Sequence, residues 1–106
     1  CLEDALLDID TAPAHAVAAA QAWAAGDTPS VKANYFETRL DDCLQQNGAY
    51  ATLRETENRD MANAILAALK KPGKSFAVMP MGFFLRKGGV LERLEAAGLT
   101  VSGPGG

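Results

Sequence analysis

The chain has 106 residues, of which 48% are hydrophobic and 22% charged, and its net charge is −3. That length suits one modest domain, and the acidic balance argues against a nucleic-acid or anionic-membrane surface, which needs a basic excess. The longest apolar stretch, residues 16–25, contains Gln21 and falls short of the ~20 residues of a membrane span, so neither a transmembrane nor a targeting segment is expected.

Leu2, Ala5, Leu6 and Ile9 repeat at helical spacing, with Glu3 and Asp4 in the first turn where the helix dipole favours them. Thr11-Ala12-Pro13 predicts a break, because proline begins a helix more readily than it continues one. A second, alanine-rich helix then runs over 14–25 and stops at Gly26, with His15 exposed in its first turn. Thr28 is the expected cap of a third helix, which opens at Pro29 and carries Phe36, Leu40, Cys43 and Leu44 as a core stripe. Asn47-Gly48 ends it. A fourth helix over 50–69 is expected to bury Leu53, Met61, Ile65 and Leu69. Arg54, Glu55, Glu57, Asn58, Arg59 and Asp60 would form its solvated face, with Glu55 and Arg59 paired at i, i+4.

Pro72-Gly73 turns the chain into residues 75–79, a short apolar run of β-formers stopped by Pro80. Gly88-Gly89 opens another helix, with Val90, Leu91, Leu94 and Ala97 on one side. Gly98 and Leu99 stand where a Schellman ending places them, and Thr100-Val101 resumes β character. The expected fold is therefore α+β and mostly helical: four N-terminal helices, then a parallel strand–helix–strand unit. Two strands bury too little alone, so this unit is expected to belong to a larger sheet. The missing strands would come from an N-terminal half or from another copy of the chain, pairing through the open edge. Residues 1–101 form the expected domain, or part of a larger one, and 102–106 a flexible tail.

Ligands of open α/β units gather beyond the carboxyl ends of the strands. Here that region contains Met79, Met81, Gly82, Phe83, Arg86, Lys87, Gly88 and Gly89. The two cations precede a helix N-terminus, an arrangement suited to an anion. The apolar members suit core packing or a hydrophobic groove. Dinucleotide and phosphate-loop spacings are missing, as are serine-nucleophile and paired-histidine motifs, so no catalytic residue, metal ligand or cofactor is assigned. Cys1 and Cys43 lie too far apart for a CxxC-type metal site. They remain open to three readings: unrelated thiols, a disulfide, or a lipidated Cys1.

The order W-A-A-G-D (residues 23–27), E-N-R-D-M-A (57–62) and K-S-F-A-V-M-P-M-G-F-F-L-R-K-G-G-V-L-E-R-L-E-A-A-G-L-T-V (74–101) resembles the C-terminal part of TraB/GumN proteins, bacterial relatives of the Tiki metalloproteases. The resemblance implies a metal-dependent hydrolase with a G-x-x-H motif after the strand. Its positions fall here on Pro80, Met81, Gly82 and Phe83, so the histidine is replaced by a phenyl ring with no lone pair for a metal. It also implies an exported, periplasmic setting, compatible with a Cys1–Cys43 disulfide. The expected role is non-catalytic, structural or ligand-binding. The alternatives are a hydrolase whose ligands lie in an N-terminal half, and a small protein-interaction module.

Overall fold

A computed structural model describes residues 1–35 and 37–103. Among these residues six helices form: α1 (Leu2–Ala24), α2 (Thr28–Asn34), α3 (Arg39–Leu44), α4 (Gly48–Leu69), α5 (Met81–Leu85) and α6 (Val90–Ala96). Among the described residues there is no strand and no sheet. The chain divides into two compact units, one of Cys1–Ala51 with the C-terminal residues from Ser102, the other Thr52–Val101.

In the first unit, α1 packs on α2 and α3. The break expected at Thr11-Ala12-Pro13 does not occur, and Pro13 lies inside one continuous 23-residue helix. A proline's fixed φ is helical, and the carbonyl it leaves without a donor belongs to Ile9. Ile9 and Pro13 are both exposed, so water can satisfy that oxygen, and the alanines that follow favour continuing the helix. Asp27, rather than Thr28, caps α2. Its carboxylate accepts the Ser30 amide at 3.1 Å and the Ser30 hydroxyl at 2.5 Å.

The single helix expected to follow Pro29 is two helices. Thr38 caps α3 by accepting the Asp41 amide at 3.1 Å. Asp8 of α1 is buried and accepts the Arg39 and Leu40 amides at 3.2 and 3.0 Å. These acceptors satisfy amides that a continuous helix would pair with its own carbonyls, so the chain restarts there. Leu40, Cys43 and Leu44 are half-buried, and Phe36, expected on the same stripe, lies outside the described residues. Asn47 begins α4 rather than ending α3, its side-chain oxygen accepting the Ala49 and Tyr50 amides at 3.0 and 3.1 Å. Cys1 and Cys43 form a disulfide with Cα atoms 5.5 Å apart, which resolves the three readings of the thiols.

The Asp27 cap carries a pH dependence. The Ser30 hydroxyl, then its amide, stabilise the carboxylate and hold the Asp27 carboxyl below its ordinary value. A group depressed on folding stabilises above its unfolded pKa, about 3.9 for aspartate, and loses that contribution as pH falls through the lower folded value. Asp27→Asn keeps a capping oxygen but does not titrate. Thermal midpoints followed by circular dichroism should therefore fall less steeply below about pH 4 in this variant than in the wild type. Equal slopes would remove Asp27 as a source of acid sensitivity.

In the second unit the faces of α4 match expectation in part: Glu55, Glu57, Arg59 and Asp60 are exposed as expected, but the rest differs. Leu53 and Leu69 are exposed, Met61 and Ile65 are half-buried, and the buried residues are Arg54, Asn58 and Ala62. Arg54 and Asn58, read as part of a solvated face, are only 6% and 4% exposed. Glu55 pairs with Arg93 at 2.6 Å, and Arg59 turns to Asp60 at 3.4 Å, so the expected i, i+4 pair does not form.

The parallel strand–helix–strand unit is corrected most fully. Residues 75–79 form no ladder, with Phe76 92% and Val78 83% exposed, and Thr100-Val101 pairs with nothing as a strand. β-formers hold a strand only against a partner, and two such short runs are marginal together. The sheet edge expected to recruit an N-terminal half or a second copy is therefore absent among the described residues. The expected helix between them does form, and its ending is a Schellman motif. Gly98 adopts φ +90°, its amide donates to Glu95 O at 2.9 Å, and the Leu99 amide donates to Leu94 O at 3.1 Å. Of the expected tail, Ser102 and Gly103 are exposed, and 104–106 lie outside the described residues.

Candidate functional site

The sequence reads residues 79–89 as a loop, but its middle is the short helix α5, which packs on α6. Five residues cannot nucleate a stable helix alone, so α5 depends on its packing. Phe83 and Arg86 lie three apart, and the guanidinium carbon sits 4.2 Å from the centre of the phenyl ring, within cation–π range. Arg86 Nε donates to Asn58 Oδ1 of α4 at 2.8 Å. Arg86 Nη2 is buried without a hydrogen-bond acceptor, 4.0 Å from Glu57 Oε2. Arg86 thus turns away from any anion at the helix entrance and joins α5 to α4.

The entrance of α6 is also occupied. Glu92 Oε2 accepts the Gly88 amide at 2.7 Å, and Arg93 Nε donates to Gly88 O at 2.9 Å while its Nη2 reaches Glu55. Glu92 thus bonds the amide one residue ahead of the Gly89 N-cap and keeps its carboxylate at the first turn of α6, where the helix dipole favours a negative charge. A Glu three residues into a helix was a readable capping signal; the pairings of Asn58, Glu55 and Glu57 across about 30 residues of sequence left none.

Of the sequence-predicted set, Phe83, Arg86, Gly88 and Gly89 are brought together in this turn. Met81 and Gly82 are half-buried in the first turn of α5, and Lys87 is exposed. Met79 instead lines a separate open groove of about 330 Å³ along α4, with Met61, Ile65, Leu69, Phe76 and Val78. The donor set does not fit a metal. The position expected to hold a histidine carries a ring under a guanidinium, and a fixed cation there opposes a second one. Among the described residues, no three of His, Cys, Asp or Glu lie together as ligands.

Comparison with known families gives one finding: the sequence model of the TraB/PrgY/gumN family matches residues 1–103. Neither the curated proteins nor the solved structures contain a match. No helix among the described residues is long and apolar enough to cross a membrane.

Proposed function

The chain belongs to the TraB/PrgY/gumN family, and we propose that it serves there as a non-catalytic, structural part of a cell-envelope protein. One observation carries this reading. Phe83 stands where the family's histidine is expected, and Arg86 closes over it while bonded to Asn58. A metal-bound water needs about three protein ligands and an open position, whereas this turn offers an aromatic face under a positive charge. Of the structural and ligand-binding roles, the structural one is favoured, because Arg86, Gly88, Glu92 and Arg93 all bond within the chain. The exported setting rests on the Cys1–Cys43 disulfide, a bond that persists in oxidising compartments.

The test is calorimetric titration with manganese, cobalt and zinc, alongside a peptidase assay with and without chelator. The chain should bind none of the three tightly, and Phe83→His should add no chelator-sensitive activity, because Arg86 still occupies the site. Stoichiometric metal in protein purified without an affinity tag would overturn the reading.

A further inference from the structure

The net charge of −3 conceals an uneven distribution. Residues 61–91 carry Lys70, Lys71, Lys74, Arg86 and Lys87 and no acidic group, so half of the ten basic residues lie apart in sequence from all thirteen acids. Lys70, Lys71 and Lys74 are exposed, and among the described residues none of them forms an ion pair. The last acid of α4, Asp60, contacts Arg59 and lies about 13 Å of helix before Leu69, beyond the ~8 Å over which a surface charge acts at physiological salt. Lys70 and Lys71 also offset the dipole of α4, but Lys74 stands past the Pro72-Gly73 turn and has no such use. The next residues include Phe76 and Val78, the most exposed large apolar side chains among the described residues.

We propose that residues 70–78, with the groove that this segment shares with α4, dock on an anionic lipid surface. In this contact Phe76 and Val78 reach the boundary between headgroups and acyl chains, and the three lysines lie among the phosphates. Residues 70–78 are all exposed, so the second unit leaves this surface open. The apolar area continues onto α4 through the groove of about 330 Å³, which Met61, Ile65, Leu69 and Met79 also line. Charge then fixes where the molecule touches. The acidic groups elsewhere are repelled by such a surface, which confines the attraction to this stretch.

Two features favour lipid over an acidic protein as the occupant. A protein interface carries about one hydrogen bond per 100–200 Å², and the groove offers Ser75 as its one polar side chain, whereas acyl chains ask for none. The free cations are also all lysines, flexible point charges suited to mobile headgroups. The arginines that would grip a partner's carboxylates in a fixed fork, Arg86 and Arg93, are bonded within the chain. Depth is limited by the backbone. The segment belongs to no helix or ladder, so its amides need water or headgroups, and the contact stays interfacial. The inference goes beyond the structural role and does not depend on the missing metal site.

Flotation of the oxidised chain with vesicles of about 30% phosphatidylglycerol in phosphatidylcholine, against phosphatidylcholine alone, reads the partition. The chain should float with the first and stay behind with the second, and raising salt from about 0.05 to about 0.5 M should weaken binding about tenfold or more. Each of Lys70→Gln, Lys71→Gln and Lys74→Gln should cost about fivefold, and Phe76→Ser about tenfold or more. Trp23 is the only tryptophan, so Phe76→Trp in a Trp23→Phe background puts the sole indole on the segment. Its emission should shift to the blue with the anionic vesicles only. If Phe76→Ser fails to fold by circular dichroism, Val78→Ser poses the same question. No binding to the anionic vesicles would overturn the proposal and leave the groove to a protein partner. Equal binding to both vesicles would also overturn it. So would binding that survives the triple lysine variant or the serine, or an indole at position 76 that keeps its emission in water.

Discussion

Reduction of the Cys1–Cys43 disulfide is expected to cost the fold about 4 kcal/mol on the chain-entropy model, given a cross-link spanning 42 residues. The effect is large because the first unit has little else. Val31 is its one buried apolar side chain among the described residues, and its buried polar group, Asp8, serves as a cap. A small domain has only about 5–15 kcal/mol in total, so the loss is a sizeable fraction of the whole. The bond also stands at one end of a two-point attachment of α3 to α1. Asp8 holds the N-terminus of α3 and Cys43 its last turn. Without the covalent end, the capping carboxylate must order the six-residue α3 by itself. Urea titrations with and without reductant, compared with Cys1→Ser plus Cys43→Ser, measure the difference. At about 4–8 °C per kcal/mol, the thermal midpoint should drop by more than about 15 °C. Coincident transitions in oxidised and reduced protein would mean that the bond contributes nothing to stability.

How far the sequence could foresee this fold differs from element to element, for physical reasons. The end of α6 was readable to the residue, because a Schellman motif is local and Gly98 supplies its left-handed φ. Helical character was readable from the period over α1, α4 and α6, but not that α1 runs through Pro13, that α2 and α3 are separate, or that α5 forms. Which face each would bury was not readable either. Periodicity identifies an apolar stripe, but burial needs a partner surface, and α1 and α4 turn their polar or small residues inward instead. In α4 the reason is visible: Asn58 is held by Arg86, and a buried amide with its hydrogen bond made is no longer a penalty. The residues 75–79 failed as a strand for a related reason. Their β-propensity is a preference for a half-buried pleated surface, and no such surface forms around them. Within the candidate site, Arg86 ends α5 in an extended conformation and its side chain folds back over Phe83, a local contact between residues three apart. Its capture by Asn58 depends on contacts that sequence separation hides.

Gly89→Ala is expected to destabilise the second unit by about 3 kcal/mol or more, the severe end of overpacking. The cause is space rather than backbone freedom. Gly89 sits at φ −78°, ψ −171°, an extended conformation open to any residue. A Cβ added there would stand 2.6 Å from the Arg86 carbonyl oxygen and 2.7 Å from that of Phe83. Both obstacles are backbone, so no side-chain rotation relieves them. The turn between α5 and α6 must open, which breaks the 2.8 Å bond from the Gly89 amide to Arg86 O. Opening it displaces the two residues on which the candidate site depends, and disturbs Val90, which is fully buried. The neighbouring glycine is the control. Gly88 adopts φ +68° with nothing within 4 Å of its would-be Cβ, so Gly88→Ala should cost only the left-handed penalty of about 1–2 kcal/mol. Urea midpoints of the two variants rank them, and the amide-proton spectrum of Phe83 and Arg86 reports whether the turn has moved. If Gly88→Ala proves the more damaging, or Gly89→Ala leaves those amides in place, then close packing against the α5 carbonyls is not what Gly89 provides.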